Sequence, residues 1–121
     1  MRFLCIYKPG RPEGTPPAPD EMERMGKLIH DMTQSGHLLA TEGCLPSALG
    51  ARVRRSGADY TVTDGPFTEA KEVIGGFALI QAATKQEAIE LTKRFLDVAG
   101  DGESEVRQVW EAPASAGKGG K

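Results

Sequence analysis

Two short stretches, residues 3–7 (FLCIY) and 73–82 (VIGGFALIQA), are apolar without the in–out alternation of a sheet that has one wet face. In the first, Phe3, Cys5 and Tyr7 share one face and Leu4 and Ile6 the other, so both faces are hydrophobic. Strands of this kind belong in the middle of a sheet that is covered on both sides. That requirement constrains the fold more than any other feature of the chain.

The rest of the sequence supplies only part of the cover. Met22, Met25, Leu28, Ile29 and Met32 recur at helical spacing, with Asp20 and Glu23 placed as a capping box and Gly36 as a stop. A second helix opens at Thr84 with Glu87 three residues on, presents Ala88, Leu91, Phe95 and Leu96 to a core, and ends at Gly100. Between the helices, residues 37–41 read as a short strand. Residues 51–55 and 58–63 read as a hairpin across Ser56-Gly57, with Val53, Tyr60 and Val62 on one side and Arg52 and Arg54 on the other. Residues 105–111 read as the last strand. The prolines at 9, 12, 16, 17 and 19 make the first connection a stiff, extended loop.

The order is that of an α+β domain: a ferredoxin-like split βαβ plan with an inserted β-hairpin and an antiparallel sheet, spanning residues 1–111, followed by a disordered tail at 112–121. Two helices cover one face of such a sheet. A second copy of the chain is the simplest cover for the other, which predicts a two-fold homodimer with a cavity between the sheets or at their edge.

Composition narrows the function classes. The chain has 121 residues, 39% hydrophobic and 26% charged, as expected of one globular domain. A formal charge of −2 gives no reason to expect a nucleic acid partner. No run approaches the ~20 apolar residues of a membrane span, and the short N-terminal run reads as a strand rather than a signal peptide. A cytoplasmic location is expected, with Cys5 and Cys44 reduced. No cofactor and no metal are expected: Cys5, His30, His37 and Cys44 lack ligand spacing. Gly75 and Gly76 lie in a strand with no helix after them to cradle a phosphate. They mark a bulge or a close approach of chains at the dimer interface. There is no G-x-S-x-G elbow, and neither cysteine has a basic neighbour. Arg52, Arg54 and Arg55 read as a charged outer face that protects a sheet edge, with anion binding the alternative.

The distinctive segment is Thr63-Asp64-Gly65-Pro66-Phe67 and the residues up to Glu72. A turn aspartate commonly hydrogen-bonds the backbone N–H two residues ahead. Here that residue is Pro66, which has none. Asp64 then either accepts from Phe67 or a later amide, in a rigid strand exit with Glu69, Lys71 and Glu72 solvated, or it meets a ligand. Gly65 allows the tight turn and Phe67 anchors the loop.

Asp64-Gly65-Pro66-Phe67, with Thr68 to Glu72 and Ile74-Gly75-Gly76-Phe77 after it, resembles the signature of the DGPF-type branch of the YCII-related proteins. Leu38 to Gly43 and Gly50-Ala51-Arg52-Val53 match the same pattern. The resemblance implies the dimeric α/β-barrel superfamily but supplies no reaction. It implies a motif aspartate at Asp64. The histidine with which other YCII-like proteins are proposed to pair an aspartate has no counterpart here, because Met22, Glu23 and Met25 occupy the start of the first helix. Genes of that branch often accompany extracytoplasmic-function sigma factors, which implies a sigma factor as a candidate partner.

Two functions follow as expectations. One is small-molecule binding near Asp64, with Asp64 as general acid or base, Tyr7, Lys8 and His37 as nearby polar groups, Gly65 and Phe67 shaping the loop, and the proline-rich loop as a lid. The other is a non-enzymatic sensor or partner module working with a sigma factor. His30 is expected at the surface. His37 is either a strand-entry residue or a titrating group in the cavity.

Overall fold

The computed structural model describes residues 1–67 and 73–111. The expectations for residues 68–72, including solvated Glu69, Lys71 and Glu72, and for a disordered tail at 112–121 lie outside the described residues. The chain runs β1 (Arg2–Pro9), α1 (Pro19–Gln34), β2 (Leu38–Gly43), a 3-10 turn (Ser47–Leu49), β3 (Ala51–Ser56), β4 (Asp59–Asp64), β5 (Gly76–Gln81), α2 (Lys85–Ala99) and β6 (Gly102–Gln108). The main sheet is antiparallel in the order β2-β5-β1-β6, and β3 and β4 form a separate two-stranded ribbon. This is the ferredoxin-like plan with an inserted hairpin.

The two doubly apolar strands are the two central ones. Leu4 pairs with Leu79 and Ile6 with Phe77, while Phe3 pairs with Ile80 and Cys5 with Ala78. The second set faces the helices and builds the core: Phe3 is 1% exposed and Ala88 is fully buried, packed with Cys5, Met32, Ile80 and Leu91. The first set lies on the opposite face, which neither α1 nor α2 covers.

Local chemistry accounts for the helix ends, with one correction. Thr84 caps α2 by accepting from the Glu87 amide at 3.1 Å, and the Glu87 carboxylate reaches back to the Ala83 amide at 2.7 Å. The cap of α1 is not Asp20 but Ala18, which enters in extended conformation and makes no side-chain cap. Pro19 takes the first helical position, where its fixed φ fits and its missing donor costs nothing. Asp20 then falls inside the first turn, favourable to the helix dipole. At the other end Gly36 donates to Thr33 and His37 to Met32, which closes the helix and turns the chain into β2.

Three further expectations shift. The apolar run at 73–82 is strand only from Gly76 to Gln81. The last strand is Gly102–Gln108 rather than 105–111, because Glu103 and Gly102 continue the pairing with Lys8 and Pro9. The close approach at Gly76 is within one chain: a Cβ there would lie 2.7 Å from the Glu42 carbonyl oxygen of β2. The irregularity in this pair of strands falls in β2, between Leu38 and Ala40.

Candidate functional site

Helix α1 carries the expected apolar stripe, yet of its residues only Met32 is buried and Met22 is 61% exposed. The helix overhangs the sheet instead of closing on it. Beneath it lies a cavity of about 320 Å³, within the range of small-molecule sites. Met25, Leu28 and Ile29 of α1 form its roof, Phe95 and Leu91 of α2 one side, and Ala78 and Ile80 of β5 its floor. Glu42 and Gly43, both exposed, stand at its edge on β2.

Few polar groups reach this space. The Thr92 hydroxyl donates to the Ala88 carbonyl at 2.8 Å, and the Cys5 thiol lies 3.7 Å from the same hydroxyl. Burial pushes the Cys5 thiol pKa up, partly opposed by the Thr92 contact. The thiol stays protonated near neutrality and is a poor nucleophile. Tyr7 is different. Its ring meets Phe95 edge-on, with centroids 5.0 Å apart, and its hydroxyl is buried with no hydrogen-bond partner among the described residues. Burial raises the Tyr7 pKa, with Arg11 opposing and Glu21 and Asp101 adding to the rise. The phenol is therefore neutral near pH 7 and available as a donor. Buried hydroxyls left unpaired are costly, at about 1–3 kcal/mol.

The Asp64 loop is organised elsewhere, around Ser47. The Glu13 carboxylate accepts from both the Ser47 amide and hydroxyl, at 2.6 Å each, and the Ser47 hydroxyl oxygen accepts from the Phe67 amide at 3.1 Å. These bonds hold the Glu13 pKa below the ordinary glutamate value. Gly65 lies so close to the Ser47 carbonyl that any Cβ would overlap it, and the Gly65–Pro66 bond is cis. The Gly65 amide donates to the Gly50 carbonyl at 3.0 Å. With Gly65 and Phe67 both committed and Pro66 lacking a donor, no amide from 65 to 67 is left for the Asp64 carboxylate, and no described side chain engages it. Arg52 lies over the Phe67 ring at 4.2 Å.

The structure does not gather the residues singled out in the sequence into one site. Tyr7 lines the cavity. Lys8 lies on the open sheet face, 3.6 Å from Glu105. His37 is turned to the Ser35 hydroxyl at 2.8 Å and to Glu87 at 3.4 Å. Gly65 and Phe67 are docked on Ser47, and Asp64 is exposed at the end of β4. Both cysteines are free, and among the described residues no group of His, Cys, Asp and Glu has the arrangement of a metal site. No described helix is long and apolar enough to cross a membrane. The sequence reading missed Thr92 and the Glu13–Ser47 link. The latter joins residues 34 apart, and a serine following Pro46 was its one local signal.

A family model for the YCII-related domain matches residues 1–113. The chain belongs to the YCII-related family. This YCII-related chain is 33% identical over 72 residues to an uncharacterized protein of Rhizobium meliloti, a match that covers 60% of the chain and 58% of that relative. Among solved structures it is similar to 5-chloro-2-hydroxyhydroquinone dehydrochlorinase from Burkholderia phenoliruptrix in complex with 2,5-dihydroxybenzoquinone. The identity is 16% and the TM-score 0.48, over 95% of this chain and 98% of that one.

Proposed function

We propose that this YCII-related protein binds a small, uncharged, mostly apolar molecule in the cavity between α1, α2 and the sheet, with the Tyr7 hydroxyl as the group that orients it. The observation that carries this reading is a cavity of about 320 Å³ bordered by Tyr7, whose hydroxyl is buried, neutral and without an acceptor among the described residues. A ligand carbonyl or ether oxygen would satisfy it. The surrounding methionine, leucine, isoleucine and phenylalanine side chains offer apolar surface and no counter-charge.

Acetophenone and ethylbenzene make a suitable pair of probes, similar in size and differing in the acceptor oxygen. Calorimetry of the full chain is expected to show saturable binding of both, with acetophenone favoured. Tyr7→Phe should abolish that preference, since one hydrogen bond is worth about 1 kcal/mol, or several-fold in affinity. Absence of saturable binding, or a preference that survives Tyr7→Phe, would contradict the reading.

Asp64 remains our proposal for an acid–base residue of a DGPF-branch protein. Its support is the carboxylate that neither the amides of residues 65–67 nor a described side chain engages. We also propose a homodimer. Its support is the second apolar face of the sheet, bearing Leu4, Ile6, Phe77 and Leu79, which the chain's own helices leave open.

A further inference from the structure

The inner end of the cavity carries side chains whose hydrogens are already committed to the protein. Thr92 of α2 and Cys5 of β1 both line it, each only 8% exposed. A threonine hydroxyl has one hydrogen to donate and two lone pairs with which to accept. The Thr92 hydrogen goes to the Ala88 carbonyl, one helical turn back, at 2.8 Å. The Cys5 thiol, 3.7 Å away, is then the donor toward the same oxygen. A thiol is a weak donor, and it engages one of the two lone pairs. The other has no partner among the described residues.

Position matters as much as hydrogen count. Because Cys5 on the sheet reaches this oxygen, the oxygen lies on the side of α2 turned to the sheet, where the cavity is. Thr41 of β2 has also committed its hydrogen, to the Phe77 carbonyl at 2.9 Å, but it stands on an edge strand where water competes. Beside Thr92 there is little water, and a hydrogen bond made there is the stronger for it. Tyr7 supplies the opposite polarity, a neutral hydroxyl able to donate. Its row across the sheet holds Gly76 and Gly43, and the row of Cys5 holds Ala78. The floor beside these two rows is therefore low enough for a ring to lie flat on it. Among the described residues no Lys, Arg or His lines the cavity, so an anionic ligand would find no counter-charge.

We infer that Thr92 determines the specificity of this cavity. Its hydroxyl oxygen accepts from a hydroxyl or N–H at the inner end of the ligand. The molecule selected is neutral, with a donor at one end and an acceptor for Tyr7 at the other. This inference rests on the small-molecule reading above and narrows its ligand class.

The test is calorimetry of the full chain with 4-hydroxyacetophenone and 4-methylacetophenone, in mildly acidic buffer that keeps the phenol neutral. The two are close in size, and only the first can donate. The quantity read is the ratio of their affinities in the native chain and in Thr92→Val, which keeps the side chain's shape and loses its oxygen. The preference for the phenol is expected to fall roughly fivefold or more in Thr92→Val, as for the loss of one hydrogen bond. Thr92→Ser, which keeps the hydroxyl, should retain the native ratio. A merely structural role would weaken both probes together and leave the ratio unchanged. If Thr92→Val fails to fold, the Thr92 methyl resonance of the native chain is followed instead, and it should move further with the phenol than with the methyl compound. A ratio unchanged in Thr92→Val, a ratio lost equally in Thr92→Ser, or equal methyl shifts overturns the inference and leaves ligand binding in the cavity standing. Absence of saturable binding by either probe overturns the small-molecule reading and the inference with it.

Discussion

The helix-covered face of the main sheet and the β3–β4 arm are made of the same kinds of residue and meet opposite fates. Phe3 and Ile80 are 1% and 3% exposed, while Val53 and Val62 are 65% and 63% exposed. Intrinsic strand preference does not separate them. What does is whether a second layer stands within reach: α1 and α2 pack over Phe3 and Ile80, and among the described residues no element makes a substantial contact with the face bearing Val53 and Val62. Stability therefore resides in the two-layer body, and the arm contributes to it only when something covers its apolar face.

The sharpest way to break that comparison is to damage the body. Phe3→Ala removes the largest fully buried side chain and should cost about 3–5 kcal/mol, read by urea unfolding. A loss under about 1 kcal/mol would show that the core lies elsewhere. Tyr7→Phe works in the same body with the opposite sign. Removing an unpaired buried hydroxyl should leave stability unchanged or raise it by up to about 1 kcal/mol. A clear loss would mean that the hydroxyl has a partner in the folded protein.

On the arm, Asp64→Asn should change stability by no more than about 0.5 kcal/mol, as at other exposed sites, while abolishing any turnover that depends on the carboxylate. A large loss of melting temperature would instead make Asp64 a structural turn residue. The smallest effect concerns the link between arm base and proline-rich loop. Because the Glu13 pKa is lowered in the folded chain by its bonds to Ser47, the link contributes above the ordinary glutamate pKa. It is lost only as the pH falls through the lowered folded value. The Phe67 amide, which donates to Ser47, should therefore keep its NMR shift down to mildly acidic pH and move only below the glutamate range. Movement near neutrality would break this account of the latch.

How much of this was legible in the sequence follows from how local each signal is. The order of elements was readable, because the apolar periods of the strands and helices and the Thr84–Glu87 box lie within a few residues of one another. The start of α1 was misread because two local signals competed there, and the proline at the first helical position prevailed over the aspartate after it. The start of β6 depends on pairing with β1, which no local pattern encodes. The cavity was invisible for a related reason: an apolar stripe has the same spacing whether its helix closes on a sheet or overhangs it. Tyr7 was picked out as a polar group near a site, but its unpaired hydroxyl is a property of three dimensions. The Asp64 argument carried through as far as Phe67, because the missing Pro66 donor is a covalent fact and the neighbouring amides turned out to be taken.

The central claim is that ligand binding belongs to the body and not to the arm. Hydrogen–deuterium exchange of the full chain, with and without saturating acetophenone, tests it most directly. The account predicts slowed exchange in residues 5–7, 25–32, 76–80 and 91–95, which surround the cavity, and no change in residues 51–64. Protection confined to 51–67, with the cavity segments exchanging as before, would contradict it.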